Sequence, residues 1–227
     1  MSNSDDVLAP HAVVLEGLTE HGLAANAERC VNSRAKRLFD IVGSGVGLIL
    51  LLPFFALIAV LVYSQDRGPV FFRQQRTGLH GQVFSIWKFR TMRLEAAGSR
   101  FRQTSGRSDP RITPIGRFLR ATSLDELPQL INILRGQMSL VGPRPHPVAL
   151  DKSLAPQFKN YRMRQSVRPG LTGLAQIAGA RGPVNCRDDM ERRLRHDLAY
   201  IQKWSVFGDV KVVVATILSP SAGKRAF

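Results

Sequence analysis

Two adjacent carboxylates, Asp125 and Glu126, lie within Ser123-Leu124-Asp125-Glu126-Leu127-Pro128-Gln129. Two helix registers fit this stretch. In one, Ser123 and Glu126 form a capping box. In the other, Asp125 is itself the cap, and Pro128 falls in the first turn, where its missing N–H costs little. Leu127, Leu130, Ile131 and Leu134 then recur at helical spacing, and Arg135-Gly136 is a stop signal. Either register puts Asp125 at the positive end of a helix, where the dipole and free N–H groups favour the ionised form. An ionised carboxylate can attack an electrophile or ligate a metal; it can equally be a first-turn acid and nothing more. The neighbours weigh on that choice. Arg117 and Arg120 come just before, and Val141-Gly142-Pro143-Arg144-Pro145 just after. Pro143, Pro145 and Pro147 restrict the backbone around Arg144, whose guanidinium fork suits a phosphate. An acid pair beside a rigid arginine loop predicts an anionic substrate and a metal ion.

Other groups extend the set. Lys88 and Arg90 are two apart, so on a strand they share a face; they would hold a diphosphate or simply end a solvated strand. Arg168-Pro169-Gly170 repeats the arginine in a rigid loop, and Thr172-Gly173 with Gly179–Gly182 predicts a second glycine-rich loop near the site. Asp197 and Tyr200, three apart, share a helix face, with a structural and a substrate role both open. His146 reads as incidental. Cys30 and Cys186 are far apart and form no metal-ligand pattern, so a reducing compartment is the default. Zinc clusters and Walker or Rossmann glycine loops are absent from the sequence.

These residues need elements to carry them. The chain has 227 residues, enough for one domain with a core, and a formal charge of +15. Of its basic residues, 31 of 32 follow residue 33, against 12 of 17 acidic ones, so the body is drawn to polyanions: nucleic acid, anionic lipid or phosphorylated substrates. Residues 1–33 read as a flexible extension with a transient helix over Leu15 to Ala27, and their acidic start does not fit a secretory signal. Ile41–Val62 is an uncharged run long enough to cross a bilayer, with Pro53 in its middle. Both flanks are basic: Arg34, Lys36 and Arg37 before, Arg67, Arg73 and Arg76 after. A simple span would put one basic flank on the wrong side. A helix that enters, breaks at Pro53 and returns to the same face removes the conflict; an ordinary span with a tolerated proline is the alternative. Phe71–Phe72, the turn at Gly78 to Gly81 and Val83–Phe89 predict a β-hairpin. Residues 94–111 are polar, a loop long enough to cover a site. Ile115–Arg120 and Met190–Trp204 read as helices, and Val210, Val213, Val214, Ile217 and Leu218 as an apolar stripe lying on a membrane or packed in the core.

Arg120-Ala121-Thr122-Ser123-Leu124-Asp125-Glu126-Leu127-Pro128-Gln129-Leu130 and Met138-Ser139-Leu140-Val141-Gly142-Pro143-Arg144-Pro145 resemble the bacterial sugar transferases. These are the monotopic polyprenyl-phosphate phosphoglycosyl transferases that begin exopolysaccharide and glycoconjugate assembly. Lys88-Phe89-Arg90-Thr91-Met92 and Arg168-Pro169-Gly170-Leu171-Thr172-Gly173 match as well, and the likeness runs from about Ser33 to Leu218 in the family's order. It implies a mixed, helix-rich α/β single domain on a membrane, with a re-entrant helix hairpin over 34–66, a catalytic body over 67–220 and a frayed tail over 221–227. Leu52-Pro53 stands where the family often has Ser-Pro. It further implies transfer of a hexose-1-phosphate from a UDP-sugar to undecaprenyl phosphate at the cytoplasmic face of the bacterial inner membrane. Asp125 would be nucleophile and Glu126 its helper, both near Mg²⁺. Lys88, Arg90, Arg120, Arg144 and Arg168, with Pro143, Pro145, Asp197 and Tyr200, would hold donor and acceptor. Anionic lipids of the inner leaflet and downstream glycosyltransferases are the further partners, and nucleic acid is not one. A membrane-tethered basic protein that catalyses nothing shares the charge and the apolar run, but leaves the acid pair beside Pro-Arg-Pro without a purpose.

Overall fold

The computed structural model describes residues 20–93, 109–180, 182, 184 and 186–218. The predicted tail over 221–227 and most of the predicted covering loop, residues 94–108, lie outside the described residues.

The longest element is α2, Arg34–Asp66, capped by Ser33, whose side chain accepts from the Lys36 amide at 3.2 Å. It runs unbroken through Pro53. Its length and composition are sufficient to cross a membrane. Yet one face lies on the body from end to end. Lys36 pairs with Asp209, and Asp40 accepts from Ser139 and from the Leu140 amide. At Gly43 a Cβ would meet the end of the Leu140 side chain at 2.6 Å, so a larger residue there would make Leu140 move aside. Leu48 and Leu51 pack on Phe84, Ile86, Leu130, Ile133 and Met138. Ile58 and Val62 are buried with Phe89 and Leu119, and Asp66 takes both nitrogens of the Arg90 fork. These contacts recur every three or four residues, the period of one helix face. The opposite face is bare hydrocarbon: Ile49 is 74% and Leu50 73% exposed.

The predicted hairpin is present as β1, Phe71–Thr77, and β2, Val83–Phe89, antiparallel with Phe71 opposite Phe89 and Thr77 opposite Val83. Helix α3, Pro114–Thr122, is capped by the Thr113 hydroxyl and has proline in its first turn, where no amide is wasted. At Gly116 a Cβ would collide with the Thr91 carbonyl, so α3 sits directly on the strand exit.

The helix expected to start at Ser123 takes another form. Ser123 ends α3 in the left-handed region (φ 62°) and caps nothing with its side chain. A 3₁₀ turn, Leu124–Gln129, follows, and only then a short helix, α4, Leu130–Leu134. The capping box does not form because Glu126, its other half, is drawn away to Lys88 and Arg144.

Two three-residue strands, β3 (Ser139–Val141) and β4 (Gly170–Thr172), pair in parallel. Around them lie α5 (Val148–Leu154), α6 (Leu174–Ile177), α7 (Arg187–Gln202) and α8 (Val206–Leu218). On α8, Asp209 and Val212 face inward while Phe207, Val214, Ile217 and Leu218 are exposed, so it serves both the core and an apolar surface. Part of the expected N-terminal extension is not loose: Glu20–Asn32 forms α1, with Leu23, Ala27 and Cys30 buried in the core shared with α7. Their i, i+4, i+7 spacing is a helical stripe, and burying Leu23 alone contributes about 2 kcal/mol.

Candidate active site

Asn132 of α4 fixes the acidic turn over the hairpin. Its side-chain oxygen accepts from the Trp87 amide at 3.0 Å, and its nitrogen donates to the Ser85 carbonyl at 2.8 Å. Asn132 is fully buried, so losing either bond would leave a polar group stranded. This brings Lys88 of β2 against Glu126, Nζ to Oε1 at 2.8 Å. From the other side Arg144 closes a fork on the same carboxylate, Nη1 to Oε2 at 3.0 Å and Nη2 to Oε1 at 2.5 Å. Arg120, in the last turn of α3, donates from Nε to the Thr91 hydroxyl at 2.8 Å and adds its charge beside Asp125. Lys88, Arg120, Asp125, Glu126 and Arg144 are therefore one cluster, with Pro143 and Pro145 flanking its arginine.

The two acids differ in state. Glu126 is neutralised by two cations. Asp125 is 7% exposed, and among the described residues nothing donates a hydrogen bond to its carboxylate. Burial pushes its pKa up to about 6; the Lys88 charge opposes that, Glu126 adds to it and Arg120 opposes it. This reverses the downward shift expected from a helix terminus, because a 3₁₀ turn buried under the hairpin offers desolvation in place of an aligned α-helical dipole.

Among the described residues no group of three or more His, Cys, Asp or Glu is placed to hold a metal. Asp125 has unclaimed oxygens, whereas those of Glu126 are taken. That donor set fits Mg²⁺ shared between one carboxylate and the oxygens of a phosphorylated substrate, and does not form a closed protein cage.

Other predicted site residues are found elsewhere. Arg90 is committed to Asp66 at the end of α2, so it does not share a ligand with Lys88. Arg168 donates to the carbonyls of Gly136 at 3.0 Å and Val31 at 3.2 Å. The Tyr200 hydroxyl donates its one proton to Asp209 at 3.0 Å and lies equally near the Val141 carbonyl. Asp197 is buried on Arg164. The expected glycine-rich loop over 179–182 is tied back by Arg193, which donates to the carbonyls of Ala180 and Gly182.

His146 is more than incidental. It is 3% exposed, 2.8 Å from the Tyr161 hydroxyl through Nδ1 and 3.0 Å from Arg193 through Nε2, with Arg164 alongside. Sequence reasoning missed His146, Arg164, Arg193 and Arg76, whose partners lie far along the chain. Burial, then the Arg164 charge, holds the His146 pKa well below its usual 6.5, with Arg193 adding to this and Asp151 opposing it. The folded protein keeps the ring neutral while an unfolded chain binds a proton there, so stability is lost as pH falls below about 6.5. Thermal melts between about pH 7.5 and pH 5.5 should show that loss. His146→Gln, less stable at neutral pH, should show a flatter dependence; an equal slope in both proteins would remove His146 from the account.

The matches with known proteins agree with this cluster. The family described as "Bacterial sugar transferase" covers residues 31–222. The "UDP-glucose:undecaprenyl-phosphate glucose-1-phosphate transferase" of Escherichia coli (strain K12) is 44% identical over 197 residues, 87% of this chain and 42% of that protein. A protein of the same name from Caulobacter vibrioides is 45% identical over 184 residues, 81% of this chain and 68% of that protein. The "Galactosyl transferase CpsE" of Streptococcus agalactiae is 39% identical over 200 residues, 81% of this chain and 41% of that protein. This chain thus spans less than half the length of the E. coli relative. The family match begins at α1's last residues, runs past the end of α8 and takes in the whole acid, lysine and arginine cluster: the chain belongs to the bacterial sugar transferase family.

Proposed function

We propose that this protein transfers a hexose-1-phosphate from a UDP-sugar to undecaprenyl phosphate, giving an undecaprenyl-diphosphate sugar and UMP, the first step in building an exopolysaccharide or glycoconjugate. The observation that carries this is one buried carboxylate with free oxygens, Asp125, beside a second that is clamped by Lys88 and Arg144. A single unpaired acid among cations is the arrangement a diphosphate would enter. Asp125 attacks the β-phosphorus; the bond from that phosphorus to the bridging oxygen breaks, and UMP leaves with the electron pair. A phosphate oxygen of the polyprenyl acceptor then attacks the same phosphorus and frees Asp125. Lys88, Arg144 and Arg120 neutralise the phosphoryl oxygens, the dominant contribution in phosphoryl transfer. Mg²⁺ held by Asp125 and substrate phosphates would supply further charge neutralisation. The two sugars named among the relatives, glucose and galactose, are the donors to try first. Release of UMP from UDP-sugars, with and without polyprenyl phosphate, tests the proposal in purified membranes; no release from any UDP-sugar would leave a basic membrane protein without this activity.

The membrane arrangement is part of the reading. The bare faces of α2 and α8 suit the inner leaflet, with the basic body on the cytoplasmic side among anionic lipids. The expected break and return at Pro53 does not form, because contacts on both sides of the proline hold α2 as one helix along the body. What supports attachment to one leaflet is that Lys36 and Asp66, at its two ends, bond to the same body, which a helix leaving on the far side of a bilayer could not do. In a variant lacking Cys30 and Cys186, cysteines placed at residues 5 and 225 should both resist an impermeant thiol reagent in intact cells and react after permeabilisation. Labelling of one end alone would establish a span.

A further inference from the structure

Four consecutive carbonyls of the arginine loop are each held by a donor from elsewhere in the fold. Pro143 accepts from the Gly170 amide at 2.9 Å, Arg144 from Arg164 Nη2 at 2.7 Å, Pro145 from Arg76 Nη1 at 3.2 Å, and His146 from the Thr77 amide at 3.2 Å. Two of these donors are backbone, and two are arginine side chains. Arg164 is 4% exposed, in the 3₁₀ turn Tyr161–Gln165. Its Nε and Nη2 also donate to Asp197 Oδ2, at 3.0 and 2.8 Å.

The ring beside it helps to define what Arg164 does. Guanidinium groups only donate, and a neutral imidazole has one accepting nitrogen. Tyr161 gives its hydroxyl proton to Asp151, which leaves its oxygen to accept Nδ1–H of His146. Nε2 then accepts from Arg193. In this tautomer Nδ1 has nothing to offer Arg164, whose bonds are therefore Asp197 and the Arg144 carbonyl. A buried arginine–aspartate pair is weak evidence for stability, since apolar side chains often replace such pairs without loss. Its position is more informative. The same residue, Arg144, is gripped at its carbonyl by Arg164 and at its guanidinium by Glu126.

We infer that Arg164 is a positioning residue: oriented by Asp197, it sets the backbone of Arg144 so that the Arg144 fork reaches Glu126 and the donor's diphosphate. The diphosphate rests on the function proposed above; the hold on Arg144 does not. A misplacement of about 1 Å at such a group costs on the order of a hundredfold in rate. Asp197, expected from the sequence near substrate, acts here at one remove.

Arg164→Lys keeps a charge for Asp197, but a compact ammonium cannot reproduce the fork that serves both partners. In protein held in lipid nanodiscs, the variant should lose about ten- to a hundredfold in UDP affinity by calorimetry and in the rate of UMP release from a UDP-sugar. Repeated in an Arg144→Lys background, the same change should cost less than about threefold, because groups that act through one another are not additive. Asp197→Asn, which disturbs Arg164 without altering the loop, should move both readouts the same way by less, and it carries the test if Arg164→Lys does not fold. Equal losses in both backgrounds, or no loss, would overturn the assignment. A wild-type protein that binds UDP yet releases no UMP would end the functional reading while the UDP affinities still report the coupling; one that binds no UDP would end both.

Discussion

Asp125→Asn is expected to abolish UMP release and lipid-linked product together, by at least about a thousandfold, the scale on which enzymes lose rate when a nucleophile is removed. The substitution keeps the shape and removes the anion. Of the two adjacent acids Asp125 is the one to which no described residue donates, and at a pKa of about 6 it is mostly ionised at neutral pH. If it forms an aspartyl-phosphosugar, wild-type protein given a UDP-sugar alone should release about one UMP per active site and retain label from the sugar, with ping-pong kinetics in the full reaction. The asparagine variant should do neither. Glu126→Gln should behave differently. Its carboxylate bridges Lys88 and Arg144, so the amide would leave two cations less neutralised and shift both, slowing turnover without ending the labelling. Kinetics that require donor and acceptor together, with no labelled protein after a quench, would make Asp125 a ligand or a charge and let the acceptor attack the donor directly.

The parts of this site that were legible in the sequence are those set by neighbours along the chain. The hairpin follows from two apolar runs around a glycine turn, and α2 from a long uncharged segment. Arg144 was marked by prolines on either side. The state of the acid pair was not legible. Ser123 and Glu126 have the spacing of a capping box, but Glu126 bonds to residues 38 and 18 positions away, and those ion pairs outcompete a local cap. The consequence is a 3₁₀ turn and a raised pKa at Asp125 where a lowered one was expected. The cluster of His146, Tyr161, Arg164, Arg193 and Asp197 was hidden for a related reason. The five come from three separate places, the loop before α5, the turn Tyr161–Gln165 and α7, and no periodicity marks an arginine that turns inward. The strands β3 and β4, three residues each, are too short to carry any alternation. The α1 stripe was readable in principle, through Leu23, Ala27 and Cys30, but the acidic composition around it obscured a face that is one side chain wide.

Lys36→Met is expected to destabilise the protein by about 3–5 kcal/mol, the cost of breaking a buried ion pair and leaving its partner charged. Lys36 lies in the first turns of α2, and its ammonium reaches Asp209 on α8 at 2.6 Å and the Val141 carbonyl at 3.1 Å. The two side chains are 6% and 0% exposed, so water cannot replace either one. Asp209 also accepts from Tyr200 and from Trp204, at 3.0 and 3.2 Å, which fixes the carboxylate but does not balance its charge. Adding Asp209→Asn to Lys36→Met should recover a large part of the loss, since the remaining amide is neutral, its one oxygen still accepts from Trp204, and Tyr200 can donate to the Val141 carbonyl instead. Chemical denaturation in nanodiscs would give these differences directly, and a single-variant loss under about 1 kcal/mol would show that the pair is solvated. The effect should also reach the site. Val141 is one residue before Gly142-Pro143-Arg144, so Lys36 ties α2, α8 and the start of the arginine loop at one point. Activity in Lys36→Met should fall even at temperatures where the protein remains folded, and return in the double variant.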